Sequence, residues 1–202
     1  MVSEVKNHHL ELSYEKAKLL RLVEIVGLIH DFGKGTTWFQ SYIRHERKGS
    51  NYTHHSQVSA IVAYFLVQQE LQDDLLSYFA FQVVLCHHGN LRSFDMSNNE
   101  INFGLIGKQL ENIKANNLEQ FSELFRDHGL ELNFIENISL DEFAETLEDF
   151  IDEYEMLASK NEIEIFFLNN YVFSLLIDSD KSDAARLENS YFQGNFKKEY
   201  IA

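Results

Sequence analysis

With 202 residues, a 45% apolar share and seventeen Phe and nine Tyr, the chain has enough apolar surface for one packed domain and is no disordered polymer. Its single cysteine, Cys86, excludes an internal disulfide and suits a reducing compartment. A formal charge of -15 argues against a protein that grips duplex nucleic acid through a broad basic face of its own.

The N-terminal MVSEVKNHHLELSYEK lacks the apolar core of a signal peptide. No apolar run approaches the roughly 20 residues that cross a bilayer, so a cytoplasmic protein without membrane contact is expected. The chain contains no proline, which leaves long helices free to run. From Lys18 to His30 the apolar residues wrap most of a helix, as in a buried one. Gly33 and Gly35 then supply a stop and a turn. Gln57 to Glu70 reads as the next helix, and Asp73 to Cys86 as a third that closes at Gly89. Asn90 to Asn102 is polar and loop-like. Two or three amphipathic helices follow between Leu105 and Ala158. The acid-rich part from Asp141 to Glu155 reads as a solvated helix face. Ile163 to Ile177 is rich in Ile, Phe and Val, but its length and its Leu-Asn-Asn-Tyr interruption favour helix. The sequence thus predicts an all-α domain over residues 1–187, with 188–202 a polar tail or the start of a linker.

Histidines are concentrated where helices end. His8-His9, His30-Asp31, His54-His55 and His87-His88 are adjacent pairs. Imidazole and carboxylate together suit first-row divalent metals, while the lack of further cysteines excludes a Cys-rich structural zinc site. The sharpest element is LIHDFGK, Leu28 to Lys34. Its His30-Asp31 offers a nitrogen and an oxygen to one site, and Lys34 lies one turn on, within reach of a phosphate oxygen. The competing reading is a helix C-terminus whose His and Lys satisfy the last carbonyls.

The strings HDFGK, WFQ (Trp38 to Gln40), HSQVSA (His55 to Ala60), HHGNL (His87 to Leu91) and SLLIDSDKSDA (Ser174 to Ala184) occur in an order that resembles the HD superfamily. Within it they resemble the nuclease domain of the CRISPR type I interference protein, the Cas-three family. The adjacent His pair followed by Gly points to this nuclease branch. The resemblance implies an all-α HD-superfamily helical domain with its metal site between the central helices. One ion would be held by His9 (preferred over His8), His30, Asp31 and Asp180 (preferred over Asp178). A second would take Asp31 as a bridge, with His55, His87 and His88. Asp31 and Lys34 would be catalytic, Lys34 steadying the phosphate. Gln40 would bind substrate, and Ser56 and Ser59 would sit near the substrate or behind the ligands. The ions would be divalent transition metals, two of them, with Mn, Fe, Ni or Co favoured over Zn or Mg. Metal-activated water would then cut single-stranded DNA. A CRISPR helicase subunit or domain and the RNA-guided surveillance complex would be the partners. FGLIGKQ lacks the spacing of a P-loop and its Ser/Thr after Lys, so the helicase part is expected outside this sequence. Partners would also provide grip on DNA, helped by a local cluster of Arg44, Arg47 and Lys48.

Bland readings apply to the remaining candidates. His45 and His128 are taken as satisfied core histidines, Cys86 as a small buried hydrophobe, and His54 as pointing away from His55. Trp38 and Phe39 either stack on bases or pack the following helix. Two rival functions share the composition. One is an HD phosphohydrolase acting on small or cyclic nucleotides, which needs a closed pocket. The other is a catalytically silent metal-binding or interaction module.

Overall fold

The computed structural model describes residues 15–92 and 101–192, with side chains placed in 15–92, 101–150 and 163–183. Its elements in chain order are α1 (Lys16–Ile29), a 3₁₀ turn (Phe32–Gly35), α2 (Thr37–Ile43), a short 3₁₀ turn (Asn51–Thr53), α3 (Ser56–Leu71), α4 (Asp74–Cys86), α5 (Phe103–Asn116), α6 (Leu118–Arg126), a third 3₁₀ turn (Asn133–Asn137) and α7 (Leu140–Phe192). Among the described residues there is no strand. The all-α expectation holds, and the helix bounds lie within two residues of those read from the sequence for α1, α3 and α4.

Two of these helices are apolar on nearly every face, and that decides the architecture. In α3 the run Val58 to Tyr64 is buried without a break, and in α4 so is the run Leu76 to Val84. A helix without a polar face must be covered on all sides. Accordingly α3 and α4 pack against each other, α1 lies across both, and α7 crosses α1 and α4. Each fully buried Leu, Ile, Val or Phe contributes on the order of 1.5–3 kcal/mol, and such residues from all four helices form one continuous core. Side-chain caps set four helix starts: Thr36 accepts from Phe39 N, Asp73 from Leu76 N, Asn102 from Leu105 N and Ser139 from Glu142 N. Each satisfies one of the orphan N–H groups of a first turn.

Two expectations are corrected. The acidic stretch and the apolar stretch after it are not separate helices. They are one helix of 53 residues, because neither Gly nor Pro occurs between Leu140 and Phe192 to end it. Its buried Phe143, Leu147 and Phe150 leave Asp141, Glu142, Glu145, Glu148 and Asp149 on the solvated side. The same helix continues through residues 188–192. Lastly, His45 and His128 are exposed, not in the core. His45 sits at φ 61 just past α2, and His128 in the turn after α6, positions where the apolar pattern has already stopped.

Candidate metal centre

The site forms where α1 and α4 end and α3 begins. His30 is the C-cap of α1, His87 the C-cap of α4 and His55 the N-cap of α3. Two helix C-termini bring their partial negative charge to one place, which favours a cation there. Asp31 opens the 3₁₀ turn that follows α1. This turn is pressed against α3: Gly33 N donates to Ser59 Oγ at 2.8 Å. A Cβ on Gly33 would lie 2.4 Å from Val58 Cγ1 and 2.6 Å from the His55 carbonyl oxygen. Glycine is therefore required by close approach and not by backbone conformation.

The two carboxylate oxygens of Asp31 face different groups. Oδ1 is 3.1 Å from His55 Nε2 and 3.8 Å from His87 Nε2. Oδ2 is 3.4 Å from His30 Nε2 and 2.6 Å from Lys34 Nζ. His88 Nε2 is 2.8 Å from His55 Nε2, and Asp180 Oδ1 is 3.7 Å from His30 Nε2. Two donor sets result, Asp31/His55/His87/His88 and His30/Asp31/Asp180. The donor atoms within each lie within 4.8 Å of one another. Asp31 belongs to both.

Three features show that this donor set suits a divalent metal. The Nδ1 atoms of His30 and His87 are bonded to the carbonyls of Gly27 and Val84, which turns each Nε2 lone pair inward. Asp31 Oδ1 and His87 Nε2 are buried with no hydrogen-bond partner. An unpaired buried polar atom costs about 1–3 kcal/mol, and a cation at their meeting point would satisfy both. The donors are imidazole nitrogen and carboxylate oxygen, the mixed set of first-row divalent ions.

The electrostatics agree. Burial disfavours a charged Asp31, but the neighbouring His30, His55 and Lys34 outweigh it and hold the carboxyl well below the usual carboxylate range. Burial pushes His87 down to about 4, so its ring is neutral and its lone pair available at neutral pH. His88 is lowered as well, by burial and by nearby His55. His30 is raised, because the Asp31 carboxylate overcomes the opposing effect of burial.

Of the residues singled out from sequence, His30, Asp31, Lys34, His55, His87, His88 and Asp180 are gathered here. His8 and His9 lie outside the described residues. Asp178 is exposed and joins neither donor set, while Asp180, half-buried, does. Ser56 opens α3 and lines a cavity of about 290 Å³ beside His88. Ser59 is fully buried and its hydroxyl accepts from Gly33 N, so it positions the Asp31 turn from behind the ligands. The side chain of Gln40 donates to the Lys34 carbonyl at 2.9 Å. His54 is exposed and outside both donor sets, and Cys86 is buried. Trp38 packs on Tyr52 and Phe39 meets His55 edge-on.

A set of buried amides escaped the sequence reading. Gln109 donates to the carbonyls of Tyr52 and His54, holding the strand of chain that delivers His55. Asn112 pairs with Thr37, and Asn117 donates to the Gly35 carbonyl. Asn169 on α7 donates to Gln82 on α4, and Gln82 in turn to the Arg92 carbonyl. The signal was present: Gln109 and Gln82 interrupt apolar helix faces, and a polar group at a core position must find a partner.

The Cas3 HD domain family matches this sequence over residues 2–148, well over half the chain. The chain belongs to the Cas3 HD domain family. Membership makes it an HD-type domain of the metal-dependent phosphohydrolase and nuclease class, in a CRISPR setting where the substrate is nucleic acid. No curated protein and no solved structure matches the chain. The Cas3 HD match includes every described member of the two donor sets except Asp180, whose place beside His30 comes from the course of α7. No helix among the described residues is long and apolar enough to cross a membrane.

Proposed function

We propose that this Cas3 HD domain is a nuclease that hydrolyses phosphodiester bonds of single-stranded DNA with two divalent ions, Mn, Fe, Ni or Co in preference to Zn or Mg. The observation that carries this reading is the division of Asp31: one oxygen faces His55 and His87, the other His30 and Lys34. His55, His87, His88 and Asp31 would hold one ion, and His30, Asp31, Asp180 and His9 the other. Such ions supply Lewis acidity, acidifying water and drawing charge from a phosphate.

The chain's own residues do the rest. Asp31, kept ionised by its neighbours, is available as a bridge at any physiological pH. The carbonyls of Gly27 and Val84 fix the tautomers of His30 and His87, so both rings are oriented before a ligand arrives. Lys34 holds a cation beside Asp31 and is placed to pair with a non-bridging phosphate oxygen, where negative charge grows as the bond breaks. A helicase subunit or domain and the RNA-guided complex would provide strand delivery and the basic surface that a chain of charge -15 lacks. The cytoplasm is the proposed compartment.

The test is cleavage of circular single-stranded DNA by metal-free protein reloaded with Mn²⁺, Ni²⁺ or Co²⁺. Linearisation that depends on metal and disappears in Asp31→Ala supports the reading. Stoichiometric metal binding without cleavage by any ion would move the assignment to small-nucleotide hydrolysis.

A further inference from the structure

A cleft of about 460 Å³ lies between α2 and α6, next to the metal centre but not part of it. Its size falls in the roughly 300–1,000 Å³ range of small-ligand sites. Gly35 forms part of its wall, one residue from Lys34. Two other wall residues, Gln40 and Asn117, use their amide nitrogens to hold the carbonyls of Lys34 and Gly35, at 2.9 and 2.6 Å. Whatever fills the cleft therefore touches the side chains that position Lys34.

The lining combines three kinds of surface. Phe121 and Leu124 are apolar, and Leu124 is 55% exposed, although a large aliphatic side chain gains by burial. Gln40, Asn117 and Gln120 present amide groups. Arg44 stands at the edge with a guanidinium whose ion pair, to Glu46, is a loose 4.0 Å. A single-stranded nucleotide offers the matching three parts: a flat apolar base face, a base edge of donors and acceptors, and a phosphate. Charge points the same way. Between Phe32 and Gln69 the sequence carries Lys34, Arg44, Arg47 and Lys48 against Glu46 alone, in a chain whose net charge is -15. The acids of α6, Glu119 and Glu123, do not line the cleft.

We propose that this cleft binds the nucleotide next to the scissile phosphate, with its base against Phe121 and Leu124 and a phosphate on Arg44. The proposal rests on the nuclease reading above, and refines it by giving the strand a definite path past Lys34. Selection among bases is not required of it, since an apolar surface accepts every base face.

Arg44→Ala combined with Leu124→Ala alters two exposed side chains, so the fold is retained. Binding of a short fluorescent oligothymidylate to the intact metal-free protein is followed by anisotropy across a salt series. The variant is expected to lose at least about fivefold in affinity, the lower end of one stacked base. Its plot of log affinity against log salt should flatten by about 0.7, as for one lost phosphate contact on a single strand. Mn²⁺ affinity of the variant, followed by titration, should equal that of the wild type, because neither side chain belongs to the two donor sets. Unchanged oligonucleotide affinity and slope, or no binding even by the wild type, overturns the proposal. An equal loss of Mn²⁺ affinity also overturns it, by showing that the substitutions act through the Lys34 turn. A wild type that binds the oligonucleotide but cuts no DNA with any metal defeats the nuclease reading instead, and the binding comparison still judges the cleft.

Discussion

Gly33 shows how closely the ligand-bearing turn is seated. A methyl group there would meet Val58 and the backbone oxygen of His55, and backbone cannot rotate away. Gly33→Ala is expected to cost about 1–3 kcal/mol by overpacking, seen as a lower denaturant midpoint. Because the clash displaces His55, metal affinity should fall in the same variant. Ser59→Ala makes a useful contrast. It strips the acceptor from a buried N–H at a cost of about 1–3 kcal/mol, yet adds no atoms beside His55, so its stability loss should come with a smaller loss of metal binding by titration. At this scale the ligand types were legible, since adjacent His-Asp and His-His pairs at several helix ends together offer the imidazole and carboxylate donors of one metal site. The role of Ser59 was not. A serine in HSQVSA looks the same in sequence whether it faces substrate or backbone, and only the packing of α1's exit against α3 separates the two.

Among the elements, α7 poses a positioning problem. It must carry Asp180 to His30 from a helix that begins at Leu140, with no turn nearby to set its register. Asn169 lies eleven residues before Asp180, three helical turns, and so on nearly the same face. Its amide bonds to Gln82, five residues before His87 on α4. This buried pair ties the helix of one donor set to the helix of the other. Gln82→Leu or Asn169→Leu alone strands a buried amide and should cost about 1–3 kcal/mol. The double variant should cost less than the sum, because replacing both partners by apolar groups removes the orphan. Denaturant midpoints of the three variants close the cycle, and additivity would deny the coupling. Helix positions were readable because the apolar period is strong. The continuity of α7 was harder to see: its apolar face weakens where the acids cluster, which imitates a break although no Gly or Pro makes one.

For the molecule as a whole, the metal centre joins residues from four separated parts of the chain, Asp31, His55, His87 and Asp180. An ion that binds them binds the folded state and adds stability by mass action, about 2.7 kcal/mol at a free concentration 100 times its dissociation constant. For a domain of this size each kcal/mol moves Tm by about 2–4 °C. Saturating Mn²⁺ should therefore raise Tm by about 5–10 °C, chelator should reverse the rise, and Asp31→Ala should abolish it. A rise in Asp31→Ala equal to that of the wild type would place the ion elsewhere.

The sequence by itself determined the helical class, the ligand chemistry and the family, because these depend on composition, apolar period and short strings that need no partner to be read. Tertiary structure alone decided which oxygen of Asp31 meets which histidine, and that amides from α5 and α7 hold the site together. Those choices depend on side-chain direction and on contacts between residues as far as 150 positions apart, such as His30 and Asp180, distances that only a packed core converts into neighbours.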